Sequence, residues 1–265
     1  MDRRTFVRVI GSGVAAAACS RALPAGQRTS TTPQNPAGTR NTRAIRAVAF
    51  DLFTIFDPRS IDAAVVAELP DVGAELAKVW KSRAFEYCWI RAAADQYVPF
   101  DRILDDALTH VLAARQRELA APARARLVDA WTELVPWPDA EQALVDLRRA
   151  DLALAPLANF APAMIERLLA QAKLRSYFAH IISTDGARSY KPAHRAYQLG
   201  VTTFGLPPEA IAFSAFGGWD AVGATWFGYP TFWVNRLGMP DEQLGVRPAA
   251  TGRTLTELAA WTRQR

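Results

Sequence analysis

The chain has 265 residues, half of them apolar, and a formal net charge of +5. That much apolar content can bury a full core, which excludes a disordered chain and suits one domain with an insert or two lobes. The positive charge sits at one end: residues 1–43 hold seven arginines and one acidic residue, a balance of +6, and the remainder carries −1. A nucleic-acid binder keeps its cations on the folded domain, so that class is excluded.

Arg3-Arg4-Thr5-Phe6-Val7-Arg8 resembles a twin-arginine export signal and is followed by a small-residue apolar stretch, Val9 to Ala18, and then Cys19. The stretch is too short to span a bilayer as a mature helix, so no membrane span is expected. Either Cys19 is lipid-modified after an imperfect lipobox (Ala16-Ala17-Ala18), or cleavage falls near Leu23-Pro24-Ala25. Residues 1–23 are thus read as a signal segment, for a periplasmic protein or one lipid-anchored at the cell envelope. Residues 24–43, rich in Pro, Ser, Thr and Gly, read as a flexible linker. Only Cys88 remains in the body, so no internal disulfide can form.

From there strand and helix patterns alternate. Apolar runs at Ala44 to Phe53, Leu152 to Leu157, Phe178 to Ser183, Ile211 to Phe213 and Thr231 to Val234 are short and bounded by turn residues, as buried parallel strands are. Helical patterns cover Pro138 to Arg149, Pro162 to Ala172, Arg195 to Phe204, and Asp220 to Phe227 closed by Gly228. This order predicts an α/β fold with a doubly wound, Rossmann-like parallel sheet. The stretch between the first two strands is far longer than one crossover needs. It carries helical spacing near Ile61 to Leu69, Gly73 to Ala94, Phe100 to Ala114 and Pro122 to Val135. The expected organisation is a core of residues 44–57 and 138–265 with a helical cap of residues 58–137. Trp80, Tyr87, Trp89 and Trp131 are read there mainly as cap packing.

Four polar residues fall at or just after predicted strand ends: Asp51, Asn159, Lys191 and Asp220. In an open α/β sheet those ends converge on one crevice. Each has a plainer reading: Asn159 and Asp220 are good helix N-caps, and Lys191 before Pro192 suits a solvated first turn. Asp51 resists one, since a carboxylate after Ala47-Val48-Ala49-Phe50 is buried and needs a cation, which Lys191 can supply.

FDLFTIFD, LANFAPAMI, YKPAHRAYQLG and FGGWDAVGATWFGYPTFWVNRLG resemble the L-2-haloacid dehalogenases (type II) of the haloacid dehalogenase superfamily, and WKSRAFEYCWIR resembles their helical cap. The similarity runs from about Ala44 to beyond Leu244. It implies that Asp51 is a nucleophile that displaces halide and is left as an ester, with Lys191 holding Asp51 ionised and helping to bind the substrate carboxylate. Asn159 and Lys81 would cradle the halide, and Phe53, Phe85, Phe100 and Trp219 would wall the pocket. Asp220 would activate water, with Tyr197 supporting it from behind. The residues themselves agree: phosphatases of this superfamily need an acid two residues after the nucleophile, and here that residue is Phe53. Halide leaves without a proton.

The chain departs from the family pattern in several places. A Gly is missing, so Thr54 lies three residues past Asp51; either Thr54 still reaches the Asp51 carboxylate at the substrate site, as the family's Thr does, or Ile55 takes that place. Lys81 stands where the family has Arg, keeping the charge but losing the fork of donors. Ala158, Ala215 and Gly217 replace Ser, Ser and Asn, which marks a divergent subgroup with a less polar pocket. The expected activity is hydrolytic dehalogenation of short 2-haloalkanoic acids with no metal and no cofactor, the partner being the haloacid, with a homodimer allowed for. Two alternatives stand beside it: a phosphatase with Mg²⁺ between Asp51 and Asp220, and an exported small-acid-binding protein that has lost turnover.

Overall fold

Strand β1, Ala47–Phe50, is buried end to end. Val48 and Phe50 enter one apolar cluster while Ala47 and Ala49 enter another, the period-2 pattern of a central strand covered on both faces. It stops short of the expected Phe53 because Asp51 turns the chain. The Asp51 Oδ1 accepts the Phe53 N–H at 2.8 Å, and a single helical turn, α1, Leu52–Ile55, follows. The computed structural model describes residues 45–265; the expected export signal, Cys19 and the linker lie outside these residues.

After α1, β2 (Phe56–Asp57) pairs antiparallel with β3 (Val135–Pro136), and this pairing is the neck of the helical insert. The insert holds α2 (Arg59–Glu68), α3 (Gly73–Ala94), α4 (Phe100–Ala113) and α5 (Ala121–Asp129). Leu76, Trp80, Ala84 and Cys88 recur every four residues along the buried side of α3, which packs against both α2 and α4. The indole N–H of Trp80 donates to the Leu104 carbonyl at 2.9 Å. The fourth cap helix, expected to reach Val135, ends at Asp129 in a tighter turn of Ala130–Thr132. There the Thr132 hydroxyl donates to the Asp129 carbonyl and competes with helical pairing.

The core resumes with α6 (Ala140–Arg149), β4 (Ala153–Ala158), α7 (Pro162–Gln171), β5 (Ile182–Ser183), α8 (His194–Phe204), β6 (Ile211–Ala215), α9 (Gly218–Phe227), β7 (Thr231–Val234), β8 (Ala250–Gly252) and α10 (Leu255–Thr262). The sheet order is β5-β4-β1-β6-β7-β8, and every pairing in it is parallel. The chain thus winds to one side of β1 and then to the other, the topology that opens a crevice at the carboxyl ends. Strand β5 is shorter than the expected Phe178 to Ser183, because the Phe178 N–H closes a turn on the Arg175 carbonyl and its ring packs edge-on against Phe50. Strand β8 and α10 go beyond the expected elements. No helix of the described residues is long and apolar enough to cross a membrane.

Candidate active site

Asp51 leaves β1 with its N–H still paired to the Ser214 carbonyl of β6 at 2.9 Å. Its side chain therefore issues from a fixed backbone at the centre of the sheet, and is 14 % exposed. One carboxylate oxygen accepts the Phe53 N–H, and the other accepts a hydrogen bond from Lys191 Nζ at 2.6 Å.

Lys191 is buried just ahead of α8, contrary to a solvated first turn. Its ammonium also donates to Asp220 Oδ2 at 2.8 Å and lies 5.3 Å from the centre of the Phe213 ring. Its backbone N–H donates to Asn159 Oδ1 at 2.9 Å. Asn159 is thus a support for the lysine and not the cap of α7, whose N-cap is Ala161. The Asn159 amide nitrogen is buried with no protein partner, an available donor beside the charged group.

Asp220 sits in the first turn of α9, where the N-cap is Gly217, and is fully buried. Its second oxygen accepts the Tyr197 hydroxyl at 2.7 Å, and the Tyr197 carbonyl in turn accepts the Tyr229 hydroxyl at 2.6 Å. A methyl at Gly223 would come within 2.6 Å of the Tyr197 hydroxyl and of Pro192, so only glycine admits this contact.

Two carboxylates share one ammonium, and the titration of the group reflects it. Burial pushes the Asp220 carboxyl up to about 6, Lys191 opposing and the charge of Asp51 adding to the rise. Burial alone would push Lys191 down, but the charges of Asp220 and Asp51 outweigh it and the ammonium is held above its usual range. Burial also lifts Tyr197 well above its ordinary value, reinforced by Asp220, so it stays a donor.

A cavity of about 430 Å³ opens above Asp51. Asp51 is its floor, and its core-side wall comprises Phe53, Phe216, Gly217, Trp219 and Leu237; Pro58 also lines it. The opposite wall is a stripe of α3, Lys81, Ser82, Phe85, Glu86 and Trp89, positions that fall on one helical face. The described residues hold no His/Cys/Asp/Glu group with the number and spacing of a metal site. His194 is exposed.

The structure brings Asp51, Lys191, Asp220, Asn159 and Tyr197 together, and puts Phe53, Phe85 and Trp219 on the wall. Three expectations need correction. Phe100 is buried behind the wall, stacked on Phe160 at 4.9 Å, and does not line the cavity. The Thr54 hydroxyl donates to the Asp51 backbone carbonyl at 2.7 Å rather than to its carboxylate. Lys81 reaches the wall, but its ammonium pairs with Asp62 at 2.5 Å, away from Asn159.

Trp137 and Arg236 escape a sequence reading, and both hold the turn that carries Asp51. The Trp137 indole donates to the Phe53 carbonyl at 3.0 Å. The Arg236 guanidinium donates to the Thr54 carbonyl at 2.7 Å, forks onto Asp139 and lies over the Trp137 ring. These carbonyls end a one-turn helix and have no helical partners, so outside donors must satisfy them. Arg236 is visible in the tract VNRLG, but only the fold shows that it reaches Thr54, far away in sequence.

Residues 45–215 match the model of the haloacid dehalogenase-like hydrolases. The chain belongs to that family. Among its relatives, the (S)-2-haloacid dehalogenase of Pseudomonas sp. strain YL is 37 % identical over 205 residues, covering 77 % of this chain and 88 % of the relative. The crystal structure of the L-2-haloacid dehalogenase RSc1362 superposes with a TM-score of 0.81 at 38 % identity, over 83 % of this chain and 99 % of that one. The L-2-haloacid dehalogenase of Xanthobacter autotrophicus, solved with chloropropionic acid covalently bound, gives 0.78 at 30 % identity over 83 % and 98 %. The two solved structures are matched over nearly their whole lengths.

Proposed function

We propose that the protein hydrolyses 2-haloacids through an ester on Asp51. The observation that carries this is a part-buried carboxylate bonded to the Lys191 ammonium and facing an apolar cavity, with Phe53 where a proton donor would otherwise stand. The (S)-2-haloacid dehalogenase relatives and the covalently loaded structure support the same chemistry. An Asp51 oxygen attacks C2 of the acid; the C–O bond forms as the carbon–halogen bond breaks, and halide leaves with the electron pair. The halide needs no proton, so a phenyl ring at residue 53 costs the displacement step nothing. Lys191 and the free amide of Asn159 supply donors where negative charge collects. Water then attacks the ester carbonyl of Asp51 and gives up one proton to Asp220. The adduct collapses by breaking the bond between the carboxyl carbon and the substrate oxygen; that oxygen takes up the proton held by Asp220, and the water's second proton is released to solvent. The products are a 2-hydroxy acid of inverted configuration and the regenerated carboxylate.

The phosphatase alternative meets an obstacle in the same geometry. The Lys191 ammonium already balances charge on both Asp51 and Asp220, and Phe53 offers no proton to the alkoxide that a phosphate ester expels. Halide release from L-2-chloropropionate by wild type, set against Asp51→Asn, is the direct test. No release above that variant refutes the reading, and single-turnover reaction in heavy-oxygen water should leave label in the Asp51 carboxylate.

The Arg3-Arg4 pattern further supports export by the twin-arginine route, with Cys19 lipidated or removed. Fractionation of cells expressing the full chain and an Arg3→Lys, Arg4→Lys variant checks this: the wild type should be found in the envelope and the variant should stay inside.

A further inference from the structure

We infer that the site takes 2-haloacids with a large substituent ending in a flat ring, of the arylmethyl class, on C2 in preference to those bearing a methyl. This rests on the dehalogenation reading above.

Size is the first reason. At about 30 Å³ per heavy atom, a water's share of liquid volume, a six-atom acid such as 2-chloropropionate fills roughly 180 Å³, and the cavity holds about 430 Å³. More than half would stay unfilled. The extra room lies toward the mouth, since the cavity runs from part-buried Asp51 to Trp89 and Leu237, which are 36 % and 51 % exposed. A C2 substituent pointing away from the nucleophile would grow in that direction.

The chemistry of the walls is the second reason. Phe53 meets Phe85 and Phe216 edge-on, at 6.2 and 5.8 Å between ring centres, and Trp219 meets Phe85 and Trp89 at 5.7 and 5.4 Å. Rings braced against one another keep the slot open, and they suit another aromatic ring better than an alkyl stub. The two charged residues on the α3 wall are already paired, Lys81 with Asp62 and Glu86 with Arg83. They leave the slot apolar apart from its floor and Ser82.

Gly217 ties the two together. A methyl there would come 2.7 Å from Trp219 Nε1, so the indole occupies the volume that a side chain at 217 would need. The absence of that side chain is what leaves room for the Trp219 indole in the wall.

The test compares kcat/KM for halide release from 2-chloro-3-phenylpropanoate and from 2-chloropropionate, which carry the same secondary chloride. Wild type should favour the phenyl compound by about tenfold or more, chiefly through KM, given what a few apolar groups contribute in a fitted pocket. In Gly217→Asn, whose new side chain must displace the indole, the ratio should fall toward one. Turnover of chloropropionate with an equal or higher kcat/KM overturns this inference and leaves dehalogenation standing. Halide release from neither compound overturns both, and a ratio unchanged in Gly217→Asn overturns the role given to Trp219.

Discussion

The floor and the wall of the cavity are built on different principles. The floor is polar and over-determined: Asp51, Lys191, Asp220 and Tyr197 form one hydrogen-bonded chain, and each member issues from the end of a strand or the start of a helix fixed by the sheet. The wall is largely aromatic and its rings are held by packing, with much of it contributed by a helix that joins the core through the two-residue neck of β2 and β3. A buried charged group tolerates no loss of a partner, whereas an apolar wall can trade one side chain for another. Chemistry should therefore be sensitive at the floor, and substrate choice adjustable at the wall.

Lys191→Met should test that contrast most severely. It leaves two buried carboxylates without their cation, so halide release should fall on the order of a thousandfold and the protein should lose about 3–5 kcal/mol of stability, measured by urea unfolding. A loss under tenfold would dissolve the distinction between floor and wall.

Tyr197→Phe should come next. Asp220 must be ionised to take the proton from water; its carboxyl is raised to about 6 in the resting enzyme, partly by the charge of Asp51, and that charge is gone in the ester, so ester hydrolysis should slow as pH falls through a value below about 6. The Tyr197 hydroxyl favours the charged form. Removing it should move the acid limb upward by on the order of one pH unit, read in single-turnover profiles of the hydrolytic step. An unmoved limb would show that Asp220 does not govern that step.

Arg236→Lys is expected to be milder. A single ammonium cannot both cover the Thr54 carbonyl and fork onto Asp139, so the turn bearing Asp51 loosens and kcat should drop about tenfold with KM nearly unchanged. A change confined to KM would place Arg236 with the wall instead. The smallest effect belongs to Trp89→Ala at the rim, about two- to threefold in KM for 2-chloropropionate with stability within about 0.5 kcal/mol of wild type.

Much of the floor is legible in the sequence because strand ends are. Apolar runs that stop at a polar residue mark Asp51 and Asn159, and parallel topology then brings Lys191 and Asp220 to the same crevice. The wall is harder to read. α3 is apolar on more than one side, with Trp80 and Cys88 facing the cap interior and Phe85 and Trp89 facing the cavity, so spacing alone cannot say which ring meets substrate. Phe100, which the family resemblance puts on the wall, opens α4 and stacks on Phe160 in the layer behind it. The run through Leu52 and Phe53 hid the turn after β1, since both residues are buried in a helical turn as they would be in a strand. Strand β8, Ala-Thr-Gly, has almost no apolar content and owes its state to pairing with β7. Helix α10 did carry a signal, the Thr254 and Glu257 capping pair.

The shared ammonium also couples the two acids. While Asp51 is free, its charge adds to the rise of the Asp220 carboxyl. Once Asp51 becomes a neutral ester that influence vanishes and Lys191 has only Asp220 to serve, so Asp220 remains a base to lower pH in the ester than in the resting enzyme. Asp51→Asn imitates the uncharged state, and in it Asp220 should release its proton at lower pH than in the resting enzyme. A lone cation between two acids thus ties the basicity of one to the charge of the other.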